Sequence, residues 1–485
     1  MSRRALGGIA GAAGLIAVLT LLSRIAGFGR TAAFAAGVRA SGVGDVYSVV
    51  NTVPNVVHEV AAGGALAAIT VPLIAGHLAH GRSADAHRAA STLLTWALLI
   101  LVPLGIGLWL LAEPITAALV SDRIEGGREV GATMLRIFAL QVPLYGLAIV
   151  LSGLLHAHRR FAAVALAPLL SSLVVMATYA AYGWTVQGRT VDVPDSAVRL
   201  LAWGTTAGVA ALALPLLVPA YRSGWRYRPT LRFVGDDAAR ARRLAGAGLI
   251  ALAAQQIAML AIVRLASAYG EGQGSASVFT WIFAVVMLPY AVLVIPLATA
   301  AFPALATRAA TDSALERMSE GTVRLLARAL HVAVILGLVG AVGLVAISPL
   351  VGAFFTFLDS VLGGGVVSGD AVPAMAAGLR AFAFGLIGFG VQAILTRALY
   401  VRGRPVAAGL AVALGWLIAV AVPALTLSED SGAARTVVLI GIGWSIGMTV
   451  SAVVLIVMTV RHWGGSVLGG WGDTLRYLRA RLVRR

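Results

Sequence analysis

The residues best suited to chemistry stand between Ser23 and Pro72, a stretch that opens SRIAGFGR and continues through VNTVPNVVHEVAAGGALAAITVP. Arg24, Asp45, His58 and Glu59 lie in or beside segments apolar enough to enter a bilayer. An ionisable side chain at membrane depth is costly, so it normally faces a protein interior or a wet cavity. Asn51, Asn55, His58 and Glu59 recur at i, i+4, i+7 and i+8, which draws one polar stripe along a helix. Pro54, inside that stripe, is expected to bend the helix and free a carbonyl. Two readings fit: a bent, polar-lined pathway for a permeating group, and a buried seam hydrogen-bonded to neighbouring helices. The presence of Arg, Asp, His and Glu together favours the pathway. His58 or Glu59 could carry a proton along it, and His58 equally suits a hydrogen-bonded structural residue.

The elements that must hold these residues are apolar helices. The chain has 485 residues, is 59% hydrophobic and only 12% charged, with a mean hydropathy of +0.92. Soluble proteins carry about twice that share of charge, so this is a polytopic membrane protein. Apolar runs fall near 6–28, 46–78, 91–112, 130–156, 161–184 and 198–221, and again near 243–268, 276–306, 323–347, 373–400, 406–427 and 436–460. They predict an all-α fold of about twelve transmembrane helices. The first run shows no cleavage pattern and is expected to be a retained helix. With no cysteine, there is no disulfide, thiolate metal site or cysteine nucleophile. No metal-spaced His/Asp/Glu set and no GxxxxGK[ST] phosphate loop is found, and no cofactor is expected. A sodium site, which needs convergent oxygens, is not evident either.

The net charge of +17 resides wholly in arginine on the basic side. If the N-terminus is cytoplasmic, 25 of the 37 basic residues fall in cytoplasmic segments and 7 in the opposite loops. That bias places both termini inside and argues against a nucleic-acid partner. The densest basic loop, within 221–244, separates two halves: an N-lobe at 1–222, a linker at 223–242 and a C-lobe at 243–460. This loop fits either a solvated linker or a binder of anionic lipid headgroups. The basic tail at 461–485 is expected to form an interfacial amphipathic helix. The halves repeat each other. Arg24 and Arg264 occupy matching places, Pro54 and Pro72 parallel Pro289 and Pro303, and LYGLAIVLSGLLHAHRRF parallels FGLIGFGVQAILTRALYVRGRP. Six helices per half make these parallel repeats, an arrangement that places a binding site at their interface and permits rocking.

Three stretches resemble the MurJ/MviN family, proposed flippases for the lipid-linked peptidoglycan precursor lipid II. SRIAGFGR with Asp45 and VPNVVHEVAAGGALAAITVP is similar to the family's opening. LQVPLYGLAIVLSGLLHAHRRFAAVALAPLLSSLVV resembles its fourth and fifth helices, and LPYAVLVIPLATAAFPAL its eighth. The resemblance covers about residues 10–460. It implies the fold of the multidrug/oligosaccharidyl-lipid/polysaccharide exporters, two six-helix lobes around a central cationic cavity. It also implies a substrate-cavity or gating role for Arg24, Arg30 and Asp45. Departures are present too: His58-Glu59 stand where the family has an arginine pair, Gly63 at a later acidic place, and Ala284 where many members have arginine. Arg264 is a candidate replacement for part of that charge; the alternative is an arginine snorkelling to the outer interface. The stretch after 460 is too polar to be expected to supply the family's thirteenth and fourteenth helices, so the lipid tail is expected to use another groove or a portal between lobes.

A polyprenyl-diphosphate glycan cannot carry its headgroup through hydrocarbon unaided. Guanidinium groups pair bidentately with phosphate oxygens and stay charged, which suits Arg24 as the main diphosphate contact with Arg30 supporting it. Asp45 and Glu59 would compete for those arginines when substrate is absent and bias alternating access. The implied function is lipid II transfer from the inner to the outer leaflet of the bacterial plasma membrane, by a transporter and not an enzyme. Expected partners are membrane lipids and cell-wall synthesis or division proteins. Three alternatives stand beside it: a flippase for another polyprenyl-linked glycan, a drug exporter of the same fold, and a transport-deficient scaffold of the cell-wall machinery.

Overall fold

The computed structural model describes residues 19, 22–61, 66–233, 249–311 and 319–482. Among them every regular element is helical. In the first half, α1 covers 22–37. It is followed by α2 (Val43–Glu59), α3 (Leu66–Ala79), α4 (Ser83–Leu110), α5 (Ala112–Leu119), α6 (Gly127–Phe138) and α7 (Gln141–Ala157), then α8 (Phe161–Val186), α9 (Asp195–Ala213) and α10 (Leu217–Arg222). The second half holds α11 (Leu249–Gly270), α12 (Ser275–Pro289), α13 (Ile295–Thr311), α14 (Glu320–Val361) and α15 (Met375–Ala383). It closes with α16 (Gly385–Val401), α17 (Pro405–Thr426), α18 (Gly432–Trp463) and α19 (Trp471–Leu482).

Ten helical stretches among the described residues are long and apolar enough to cross a membrane, and the chain is a multi-pass membrane protein. The expectation of about twelve differs at the first two runs. Much of 6–28 lies outside the described residues, and the 46–78 run is divided into α2 and α3. The division does not come at Pro54. Helix α2 passes through Pro54, and residues 60–61 form a π-type turn instead. The place of Gly63 lies outside the described residues. In the second half the irregularity follows the proline directly: α12 ends at Pro289, and Tyr290–Val294 form a π-helix before α13. A proline lacks the N–H that would continue the ladder, and π-turns absorb such an interruption.

The repeat reaches atomic detail in the turns after α7 and α16. Arg160 N donates to Leu155 O and Arg404 N to Leu399 O; Arg159 N donates to His156 O and Gly403 N to Tyr400 O. Arg159 and Gly403 both take positive φ, 57° and 68°.

The chain forms two compact units. Unit 1 is residues 1–247 with 270–277 and 355–372; unit 2 is 248–269, 278–354 and 373–485. Within unit 1, α7 packs against α3, α4 and α9, and α2 against α6. The core holds Phe34, Tyr47, Phe138 and Tyr179 in edge-on aromatic contact, and the Tyr47 hydroxyl lies 2.9 Å from that of Tyr179 and 3.1 Å from Thr205 Oγ1. Within unit 2, α18 is central and packs on α15, α16 and α17. A Cβ at Gly447 would lie 2.2 Å from Gly415 O, the close backbone approach that small residues give membrane helices. The tail helix α19 docks in unit 2, where His331 of α14 hydrogen-bonds Thr474 Oγ1 at 3.0 Å and stacks on Trp471 at 3.9 Å.

Candidate functional site

The sequence-predicted residues of unit 1 form a polar wall and a buried latch. On the wall, Asn55 and Glu59 of α2 are exposed and Asn51 and His58 half-buried; Arg24 and Arg30 of the preceding α1 are exposed as well. Val53 and Pro54 are buried on the other side of α2, so its polar stripe is the accessible face. Tyr145 of α7 anchors that stripe. Its hydroxyl lies 3.3 Å from both Asn55 Oδ1 and Gln141 Oε1, and its ring meets the His58 ring at 4.4 Å. Gln141 Nε2 donates in turn to Thr206 Oγ1 at 3.0 Å. Arg24 makes no hydrogen bond or ion pair with this wall among the described residues. It lies six residues from Arg30, about 9 Å of helix rise and roughly 120° of turn away. The wall thus presents neutral hydrogen-bonding groups beside the Glu59 carboxylate.

The latch is built around Asp45 in the first turn of α2. Its side chain is fully buried, and Oδ1 accepts the backbone N–H groups of Ala276 and Ser277 at 2.9 and 3.2 Å. These are the second and third amides of α12, so the carboxylate caps that helix where its unpaired N–H groups and dipole favour negative charge. Ser48 Oγ lies 3.0 Å from Ser277 Oγ, and Gly42 N donates to Gly272 O. Gly42 takes φ 58°, and a Cβ there would meet Thr190 O at 2.0 Å, so only glycine fits. Arg123 and Glu271 form an ion pair beside these contacts.

A second half of the latch escaped the sequence. Arg39 is buried, and its guanidinium donates to the carbonyls of Asp359 (2.7 Å), Gly188 (2.6 Å) and Val366 (2.5 Å). The Asp359 carboxylate accepts Ala40 N at 2.7 Å, Ser368 N at 2.6 Å and Ser368 Oγ at 2.8 Å, and lies 3.9 Å from Arg39 Nη2. Nothing in the local sequence sets Arg39 apart from the other arginines of the chain. Its only available signal was an acidic residue some 320 positions away.

Arg264 stands in unit 2, half-buried on α11 with no hydrogen bond or ion pair among the described residues. It lies six residues before the end of the helix, about 9 Å of rise. Pro289 heads the π-turn, whose Tyr290 ring meets that of Phe389, tilted, at 4.4 Å. Arg136, another arginine in an apolar run, pairs with Glu113 at 2.5 Å. Among the described residues no group of three His, Cys, Asp or Glu could hold a metal ion.

Known proteins agree on what this framework resembles. Residues 34–483 match the family "Lipid II flippase MurJ". A lipid II flippase MurJ of Burkholderia cenocepacia is 26% identical over 442 residues, 87% of this chain and 79% of that protein. Among solved structures, a lipid II flippase MurJ in an inward closed conformation superposes with a TM-score of 0.70 at 16% identity, covering 97% of this chain and 92% of that one. A multidrug resistance MATE transporter of the MOP superfamily, inward-facing, gives 0.69 at 16% identity over 92% and 95%. The structural likenesses establish the fold, and the family match extends over nearly the whole sequence. The chain is a member of the Lipid II flippase MurJ family.

Proposed function

We propose that this protein moves lipid II from the inner to the outer leaflet of the bacterial plasma membrane by alternating access, with both termini cytoplasmic. The observation that carries the reading is the family match over residues 34–483. The exposed Arg24 and Arg30 of α1 support it, because an arginine in an apolar helix is best served by a wet cavity, and guanidinium suits an anionic headgroup. In this mechanism Arg24 holds the diphosphate and Arg30 assists, since guanidinium pairs with phosphate without a proton to lose. Asn55, held by Tyr145, contributes a neutral contact for the glycan. Arg264 supplies a cation from the second lobe, at 243–460. The isoprenoid tail stays in lipid while the headgroup crosses.

Asp45 has the gating role. Outward opening must separate Asp45 from the α12 amides and Arg39 from the 359–368 segment. Charge-assisted bonds of this kind are individually stronger than neutral ones, so the latch favours one state until substrate binding offsets it.

The test is depletion with complementation, following lipid-linked precursor in each leaflet. Wild type, Arg24→Ala and Arg264→Ala are compared at matched membrane levels. Precursor accumulating on the cytoplasmic side, cleared by wild type and not by Arg24→Ala, is the expected result. Clearance by all three, or no accumulation, sinks the proposal.

A further inference from the structure

The first part of the interlobe linker is neither free nor helical. After a turn at 223–224, residues 225–233 run along α4 within unit 1 without regular secondary structure. Trp225 is fully buried and donates its indole N–H to Ser91 Oγ at 3.2 Å, and Arg228 N reaches the same hydroxyl at 3.4 Å. Higher up, the Tyr227 hydroxyl and Thr230 N meet Thr95 Oγ1 at 3.2 and 3.3 Å. Thr92 Oγ1 donates to Arg232 O, and Trp96 Nε1 to Leu231 O, both at 3.2 Å. Positions 88, 91, 92 and 95 fall at i, i+3, i+4 and i+7, so one face of α4 carries a ladder of hydroxyls that holds the strap, with Arg88 at its foot.

The strap's level relative to the membrane follows from α4. Its 28 residues exceed the roughly 20 that span a hydrocarbon core, so the polar first turns project beyond it. Exposed apolar surface begins at Trp96 and continues through Leu99 and Ile100. Leu231 and the Trp96 ring, both exposed, therefore lie where hydrocarbon gives way to headgroups, the depth that tryptophan prefers. Residues 221–233 contain no acidic side chain. Arg88, Arg222, Arg228 and Arg232 are exposed, and none of their guanidinium groups makes an ion pair among the described residues. Arg226 differs, being folded back onto the Tyr221 carbonyl and ring.

We propose that this strap is an interfacial binding surface for anionic phospholipids in the adjacent leaflet. Arg88, Arg228 and Arg232 contact the headgroup phosphates, and Trp96 and Leu231 insert among the acyl chains. A solvated linker would need no hydroxyl ladder to fix it at this depth. Juxtamembrane arginines each gain from a negatively charged surface, and three fixed side by side gain together. The proposal takes its chemistry from the strap alone and holds whatever headgroup the transporter carries.

The test uses the purified full chain in a neutral detergent and follows its thermal unfolding midpoint. Dioleoylphosphatidylglycerol, dioleoylphosphatidylcholine and soluble glycerol 3-phosphate are added in parallel. Phosphatidylglycerol is expected to raise the midpoint by about 3 °C or more, and the other two by less than half of that. The triple variant R88Q/R228Q/R232Q is expected to lose at least half of the rise, while R199Q/R435Q keeps it. Should the triple variant melt below wild type without lipid, R228Q alone replaces it, with about a third of the rise expected to go. An equal rise with phosphatidylcholine or glycerol 3-phosphate overturns the proposal, as does an undiminished response in the arginine variants.

Discussion

The two carboxylate oxygens of Asp45 have different surroundings. Oδ1 accepts two amide protons, whereas Oδ2 is buried with no hydrogen-bond partner among the described residues. Asp45→Asn keeps the shape and one acceptor but removes the charge that suits a helix N-terminus. It also places an NH2 group where no acceptor waits. We expect the amides of 276–277 to exchange about tenfold faster by hydrogen exchange, equivalent to roughly 1–2 kcal/mol. Unchanged exchange in that segment would mean the carboxylate does not hold the latch. Asp45 could be singled out in the sequence because its type and spacing follow the family opening, although its contact with the amides of 276 and 277 could not. Arg39 and Asp359 could not be singled out, since their pairing depends on a contact across some 320 residues that no local period records.

Among elements, the polar stripe of α2 was readable because a helix repeats every 3.6 residues and Asn51, Asn55, His58 and Glu59 obey that period. The position of the helix break was not, because Pro54 is accommodated and the π-turn at 60–61 answers to packing that the sequence does not display. The junction of α4 with the end of α7 offers a second, titratable feature. His158, just past α7, faces His87 of α4 with rings 5.5 Å apart, and neither Nε2 has a partner among the described residues. Burial, then the neighbouring His87 and Arg160, push the His158 imidazole below its ordinary 6.5. A folded state that binds this proton less readily than the unfolded chain is favoured above that value and loses the advantage as pH falls below it. Detergent-solubilised protein is thus expected to unfold at lower temperature at pH 5.5 than at pH 7.5, with His158→Gln reducing the difference. An identical difference in the variant would assign the pH response to other groups.

For the whole molecule, the absence of cysteine from the wild-type chain is an experimental convenience. Ser48 and Ser277 have hydroxyls 3.0 Å apart, a separation compatible with a disulfide once both are cysteine. Oxidised S48C/S277C is expected to stop lipid II transfer almost completely and to regain it on reduction, read as precursor release to the outer leaflet. Full transfer by fully cross-linked protein would show that the latch stays closed throughout the cycle. The sequence suggests two halves because prolines, arginines and the loop pairs repeat together. It does not suggest the insertion of residues 270–277 and 355–372 into unit 1, because those segments are loop and helix-end residues with no distinctive composition.

The latch also has a property that bears on how its importance would be measured. Asp45 reads main-chain amides, so the side chains at 276 and 277 contribute little to what it recognises. An alanine scan would pass over position 276, which is alanine already, and would report only the lost Ser48 contact at 277. Proline is the informative replacement. Position 276 lies at the second residue of α12, where a proline ring is tolerated but its missing N–H removes one of Asp45's two donors. Ala276→Pro should therefore mimic Asp45→Asn in the faster exchange of the remaining 277 amide, exposing a determinant that is invisible to side-chain chemistry and written only in the backbone.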